Sequence, residues 1–254
     1  MSTKSKQYLV SSLLALSLII PSIVFAQTTA PRTGLKSGLF CDRISELESK
    51  IKDRMSSYQT KLEEKRQERS NILENRVNER NTKQEENRTK WDANRQEHFA
   101  KLQAKAQTDA QKQAVNNFIA AVEAAVAKRR EAINSAVLSF RQAVDKAIAD
   151  KKAKTDTALT EYQNSITAAF EKAKSDCANG VDPRTVRENL LSSLKTAREK
   201  FRNDIQNIEK IKNSIQAAAD QRQGAIQKAI EEFKLAVQKA GQELRTAFQN
   251  QQGQ

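Results

Sequence analysis

An all-α fold is the class that this sequence predicts, and three observations predict it. The chain of 254 residues contains only six glycines and three prolines, and 5% of its residues are aromatic. Such a composition, dominated by Ala, Lys, Glu, Gln and Arg, suits long helices and disfavours sheets. Residues 41–179 contain neither glycine nor proline, and apolar side chains recur there every eleven positions. We therefore expect an elongated antiparallel three-helix bundle, or coiled coil, with 11-residue periodicity.

The N-terminus has the pattern of a secretory signal peptide. Lys4 and Lys6 precede an apolar stretch at 8–25, and the sequence Val-Phe-Ala ends at Ala26 in the form that a signal peptidase cleaves. Removal of residues 1–26 lowers the formal net charge from +13 to +11, because it takes away two lysines and no acidic residue. An uncleaved membrane anchor is the alternative, since the apolar stretch is nearly long enough to span a bilayer.

Residues 27–40 combine threonine, proline and glycine without periodicity, which indicates a flexible tether after the signal peptide. The eleven-residue repeat begins behind it and is clearest in the middle of the chain. Three helical turns per eleven residues keep an apolar stripe straight or slightly right-handed. The longest row consists of Val115, Val126, Val137, Ile148, Leu159 and Phe170.

Two short segments interrupt the helical pattern. Thr108 and Gln111 have the spacing of a capping box, so one helix should begin there. Gly180 suits a left-handed helix end, Asp182 suits the cap of the next helix, and Pro183 suits its first turn. The sequence thus predicts a bundle over 41–249 with arms at about 42–107, 109–178 and 183–249, followed by a disordered tail at 250–254.

The two cysteines support this topology. A single straight helix would hold Cys41 and Cys177 about 200 Å apart at 1.5 Å per residue. A reversal near residue 109, midway between them, would bring them together, and an exported chain with two cysteines is expected to form a disulfide. Closing so long a loop would stabilise the fold by roughly 4–5 kcal/mol in the chain-entropy model.

Several basic residues fall on the predicted apolar stripe, where a charge is costly unless it is paired. Antiparallel pairing of the three arms places each basic pair beside a carboxylate from the third arm. We expect two polar layers that set the register of the bundle: Arg66 with Lys151 and Glu209, and Arg88 with Arg129 and Glu231.

A second interpretation concerns the first arm alone. If residues 63–98 pack poorly, their arginines would form a ladder for an anionic ligand, with the tryptophan as an anchor or simply as a core residue. The ladder would consist of Arg66, Arg69, Arg80, Arg88, Trp91 and Arg95.

The sequence offers no constellation for catalysis. His98 is the only histidine, which leaves no histidine-based metal site, triad or proton relay. There is no glycine-rich phosphate loop, and the cysteines are too far apart in sequence for a redox motif. We therefore expect a protein that is not an enzyme and that carries no cofactor and no metal.

Export, long helices and a disulfide predict a non-enzymatic helical rod that acts as a structural or adaptor protein of the cell envelope, in the periplasm or at the cell surface. Its partner would be a protein or an anionic envelope component, because a strongly basic chain favours anionic partners. Membrane contact would come only through an uncleaved signal or surface contact, and the oligomeric state stays open. Nucleic acid is not expected, since no recognition motif and few aromatic residues are present.

Two resemblances suggest alternatives. In charge and helical character the chain resembles the Skp/OmpH family of periplasmic chaperones, which implies a holdase, although the β-strand segment with which that family trimerises is absent. Its eleven-residue amphipathic repeats are similar to those of exchangeable apolipoproteins, which implies binding to lipid or to an anionic envelope polymer. The apolar stripe here is narrow and largely Ala and Val, which favours burial between helices over membrane insertion.

Overall fold

A computed structural model describes residues 39–208 and 212–249, and every element in these ranges is a helix. Helix α1 spans Leu39–Lys105, α2 Asp109–Ala178, α3 Pro183–Ile208 and α4 Lys212–Gln249. The predicted all-α class is confirmed. The predicted third arm is described as α3 and α4, and residues 209–211 between them lie outside the described residues. So do the predicted signal peptide, residues 27–38 of the tether and the predicted tail, and the 11-residue periodicity stays a prediction.

The capping box predicted at the start of α2 is confirmed. The hydroxyl oxygen of Thr108 accepts a hydrogen bond from the backbone N–H of Gln111 at 3.2 Å. In return, the side-chain oxygen of Gln111 accepts from the backbone N–H groups of Thr108 and Gln107, at 3.3 and 2.9 Å. Donors that the first helical turn leaves unpaired are satisfied in this way. The chain reversal is thereby confined to residues 106–108.

The helix end at Gly180 also follows the predicted chemistry. Gly180 has a φ of 74°, the left-handed conformation that glycine adopts without steric cost. Its N–H donates to the carbonyl of Cys177 at 3.1 Å, and the N–H of Val181 donates to Asp176 at 3.0 Å, which is a Schellman motif. Asp182 then caps α3, because its carboxylate accepts from the N–H of Thr185 at 3.1 Å.

The described helices belong to two compact units. The first unit contains the part of α1 up to Met55, residues 150–178 of α2, and α3. These three segments pack around a core whose most buried side chains are Phe170 and Val186. Cys41 and Cys177 are at bonding distance here, with their Cα atoms 5.9 Å apart. The contacts between the three segments support a helical bundle in this unit.

The second unit contains residues 56–105 of α1, residues 109–149 of α2, and α4 from residue 214. Its core is built around Phe99, Val122 and Val126, against which Phe233 and other side chains pack. The ring of Phe118 meets Phe99 edge to face at a centroid distance of 6.3 Å, an arrangement that aromatic quadrupoles favour. Contacts from α1, α2 and α4 therefore support a three-segment bundle here as well.

We predict that the disulfide is a major contributor to stability. The bond joins residues separated by 136 positions, so breaking it should lower the free energy of unfolding by about 5 kcal/mol in the chain-entropy model. Urea denaturation with and without reductant measures the difference. A Cys41→Ser/Cys177→Ser double variant should match the reduced protein and should not respond to reductant. Equal stability of the oxidised and reduced proteins would contradict the prediction.

We also predict that substitution of glycine by alanine raises the free energy of unfolding at some positions and lowers it at another. A Cβ atom built at Gly224 or Gly241 meets nothing within 4 Å, and both residues lie inside α4. Gly224→Ala and Gly241→Ala should each raise the free energy of unfolding by about 0.5–1 kcal/mol, because glycine has more backbone entropy to lose. Gly180→Ala should lower it by about 1 kcal/mol, since its backbone is left-handed. Thermal denaturation of the three variants tests the signs.

Candidate functional site

Charged side chains link α1 and α2 in the second unit. Arg95 donates hydrogen bonds from Nε and Nη2 to the two carboxylate oxygens of Glu123, both at 3.1 Å. Asp92 forms a salt bridge with Arg95 at 2.8 Å and also accepts a hydrogen bond from Arg130. Paired forks of this kind are among the stronger protein hydrogen bonds, because both partners are ionised. The interface between α1 and α2 is thus a polar network beside the apolar core.

Pairing in this network lowers the pKa of Asp92 and raises that of Arg95. Hydrogen bonds from Arg130, and more weakly from Arg95, lower the pKa of Asp92 although burial opposes them. Burial acts to lower the pKa of Arg95, but hydrogen bonds to Glu123 and Asp92 outweigh it, so that this pKa lies above its ordinary value. Both groups therefore stay charged, and each stabilises the other.

Arg129 lies beside this network and contacts an aromatic ring instead of a carboxylate. Its guanidinium carbon is 4.0 Å from the ring centroid of Phe233 on α4. Among the described residues, no carboxylate pairs with it. Burial is the main cause that lowers the pKa of Arg129, and the neighbouring charges of Arg130, Arg95 and Arg88 lower it further. A half-buried cation on an aromatic face gains cation–π attraction but still lacks a counter-charge.

A second arginine makes the same kind of stack, but here α4 supplies the arginine and α2 supplies the ring. Arg222 of α4 lies 4.2 Å above the ring centroid of Phe140 on α2. Phe140 follows Arg129 by eleven residues on α2, and Phe233 follows Arg222 by eleven residues on α4. Each of these antiparallel helices therefore contributes one arginine that stacks on a phenylalanine of the other. Burial and the charge of Arg80 lower the pKa of Arg222. The two stacks connect α2 to α4.

The Arg129 stack borders a cleft in the second unit. The cleft measures about 70 Å³ and lies between α2 and α4. Lys128 and Glu232 stand beside it and form a salt bridge at 3.1 Å. Small side chains from both helices form its walls, together with Arg129 and Phe233; these are Ala125, Ala132, Ala229 and Ala236.

The predicted polar layer at Arg88, Arg129 and Glu231 is present only in part. Arg88 lies near enough to Arg129 to influence its pKa, and it donates a hydrogen bond to Asn134 at 2.6 Å. Glu231 is exposed, however, and does not complete the layer. The prediction is corrected here, because the aromatic face of Phe233 occupies the position beside Arg129 that was expected for a carboxylate. Glu231 is exposed instead, which avoids the cost of burying its charge.

The other predicted layer consists of Arg66, Lys151 and Glu209. Arg66 is half-buried in the second unit and pairs with Glu63, one turn before it on α1, at 3.1 Å. Lys151 is half-buried in the first unit. Glu209 lies outside the described residues. The layer as a whole therefore stays a prediction.

The residues of the predicted arginine ladder do not share one environment. Arg66, Arg88 and Arg95 are half-buried, whereas Arg69 and Arg80 are exposed. The half-buried members keep their charged ends near acidic or amide partners while their aliphatic stems pack, as long basic side chains commonly do. The three half-buried arginines are therefore not a freely presented row. Trp91 is 57% exposed, so it is a surface residue and not a core residue.

A charged site in the first unit was not anticipated from the sequence. Glu48 of α1 is only 7% exposed and forms hydrogen-bonded pairs with Lys174 of α2 and Lys52 of α1. Hydrogen bonds from Lys174 and Lys52 lower its pKa, although burial acts in the opposite direction. The site bridges α1 and α2 within the first unit.

Sequence reasoning also missed Asp92, Glu123, Arg130 and Phe233. One signal was available: Arg129–Phe140 and Arg222–Phe233 have the same eleven-residue spacing on two arms. The Arg95–Glu123 and Asp92–Arg130 pairs agree with antiparallel pairing about the turn near residue 109. Antiparallel pairing predicts a carboxylate beside each basic pair, whereas the structure has an aromatic ring beside Arg129.

Three further observations bear on function. No helix among the described residues is long and apolar enough to span a bilayer. The same residues contain no group of three or more His, Cys, Asp or Glu side chains that could hold a metal ion. No protein-family model, no curated protein and no solved structure matches this chain.

We predict that Glu48 makes stability depend on pH in the acid range. Because its pKa in the folded protein lies below the ordinary 4.5, its contribution is fully present above pH 4.5 and is lost as the pH falls through the lower, folded-state pKa. Glu48→Gln should therefore flatten the acid limb of a stability-against-pH curve measured by urea denaturation.

Glu46→Gln is the matched control for this prediction. Glu46 also pairs with a lysine one turn along α1, but its side chain is 59% exposed. Solvent screening should make the loss of that pair nearly neutral. Equal effects of the two substitutions would contradict the assignment of Glu48.

Proposed function

We propose that this chain is an exported, non-enzymatic helical protein that acts as a structural or adaptor protein of the cell envelope. The observation that carries the proposal is the cysteine pair, Cys41 and Cys177, held at bonding distance between α1 and α2. Stable disulfides belong mainly to oxidising compartments such as the periplasm and the cell surface. The signal-peptide pattern at residues 1–26 points to the same compartments.

The architecture supports a scaffold. Helices α1 and α2 have 67 and 70 residues. A continuous helix of that length extends for about 100 Å at 1.5 Å per residue. Two such helices joined by a short turn and one disulfide, with the 11-residue stripe between them, would form the elongated bundle that the sequence predicts. A bundle of this kind can hold partners at a defined spacing without a catalytic pocket.

The net charge supports an anionic partner. A mature net charge of +11 favours an anionic envelope component or an acidic protein surface. A holdase chaperone of the Skp/OmpH type and a lipid or polymer binder are the alternatives that experiment must separate. A holdase at equimolar ratio would suppress aggregation of an unfolded outer-membrane protein, whereas a scaffold would not.

Export is tested by expressing the full chain with a C-terminal tag in a bacterium and fractionating the cells. We expect the protein in the periplasmic or surface fraction, with an N-terminus at Gln27 by mass spectrometry and an oxidised Cys41–Cys177 pair. Replacement of Lys4 and Lys6 by glutamate should reduce export, because the positive n-region is lost. A cytoplasmic chain with an intact N-terminus would refute the proposal.

We predict an extended mature protein in solution. A compact chain of this length would have a radius of gyration of about 17 Å, whereas a rod about 100 Å long has one near 30 Å. Small-angle X-ray scattering measures this quantity directly. A value near that of the compact chain would reject the scaffold, whatever the result of the export experiment.

A further inference from the structure

The second unit contains a local excess of positive charge. Three guanidinium groups lie near enough to Arg129 to lower its pKa, and two carboxylates, those of Asp92 and Glu123, pair with two of these three. Glu85 approaches the third, that of Arg88, at 3.7 Å, but its side chain is 73% exposed and is screened by water. Arg129 is the member of the cluster for which the described residues provide no close carboxylate. The four arginines of the cluster are Arg88, Arg95, Arg129 and Arg130.

The hydrogen-bonding capacity of the cluster is also incompletely used. Arg95, Arg88 and Arg130 each donate to a described partner through their Nη or Nε atoms. The Nε of Arg130 is buried without a hydrogen-bond partner in the structure. Arg129 contacts the face of Phe233, and an aromatic face leaves the N–H edge of a stacked guanidinium available for an acceptor.

A cleft between α2 and α4 lies beside Arg129. Arg129 lines it, and the alanine walls leave a space of about 70 Å³. A carboxylate also lines the cleft, that of Glu232, and it would repel an anion. Its salt bridge with Lys128 at 3.1 Å offsets that repulsion at the rim. The space suits a small group and not a complete cofactor.

We propose that this cleft binds the phosphate group of a ligand, with Arg129 as the principal donor. A phosphate group supplies the counter-charge that Arg129 lacks among the described residues, and its oxygens match the planar fork of an arginine. The stack on Phe233 holds the guanidinium in position before the ligand arrives, which lowers the entropy cost of binding. The inference does not depend on the envelope role proposed above.

Isothermal titration of the full mature chain with inorganic phosphate, at low ionic strength, tests the site. We expect one saturable phosphate per chain. Arg129→Gln should weaken binding by about tenfold or more, the factor that loss of one charge-assisted hydrogen bond produces. Arg222→Gln is the matched control, because it removes an equivalent charge from an equivalent stack outside the lining of this cleft, and it should change the affinity less than twofold.

A second variant protects the test against loss of folding. Ala236→Leu leaves every charge in place and fills the cleft from the exposed side of α4. It should reduce phosphate binding while the helical circular dichroism spectrum and the melting temperature stay near those of the parent protein. Equal binding by the parent, Arg129→Gln and Ala236→Leu would overturn the proposal, as would equal losses in Arg129→Gln and Arg222→Gln or the absence of any saturable binding.

Short polyphosphate in parallel titrations identifies the source of the phosphate group. If the ligand is a polymer, polyphosphate binds more tightly than inorganic phosphate and still requires Arg129. If the ligand is a free phosphate, chain length does not raise the affinity per phosphate group. Tight polyphosphate binding that is indifferent to Arg129→Gln would mean non-specific attraction to a basic protein and would refute the site.

Discussion

The chain reversal at residues 106–108 is the constraint on which the other contacts depend. It makes the parts of α1 and α2 in the second unit antiparallel, so that each residue's partner there is decided by its distance from the turn. In the second unit Phe99 meets Phe118 close to the turn and Asp92 meets Arg130 farther away, and in the first unit Cys41 is at bonding distance from Cys177. The reciprocal bonds of Thr108 and Gln111 make this reversal sharp, and the disulfide closes the loop that it opens.

A chain with few large apolar residues must place some charged side chains between its helices, and it does so here in two ways. Arg95 is paired with carboxylates, and hydrogen bonding raises its pKa. Arg129 is stacked on a phenylalanine, and burial lowers its pKa. The first arrangement is electrostatically complete and joins α1 to α2. The second joins α2 to α4 and leaves a positive charge beside an open cleft, which is why it is the better candidate for a binding site.

The sequence predicted much of the fold and little of the candidate site. Helix ends could be predicted because Thr108, Gly180 and Asp182 act on the backbone within a few residues of themselves. The site depends on which face of each helix meets its neighbour. Successive side chains point about 100° apart around the helix axis, so a shift of one residue puts a different side chain at the contact. The expected partner of Arg129 was Glu231, and the observed one is Phe233, two positions along α4. A sequence can therefore predict which helical turns lie opposite each other and still not predict which side chain of a turn makes the contact.

By itself, then, the sequence determined the helical class, the two sharp turns between helices and the pairing of the cysteines. These follow from composition, local capping and the symmetry of a chain that reverses midway between its two thiols. The tertiary structure decided that Glu48 is buried against Lys174, that Trp91 is exposed, and that Phe233 lies under Arg129. Which side chains are buried or paired depends on how one helix is rotated against another. That rotation is set by the total free energy of all the side-chain contacts in the interface, and no single residue decides it.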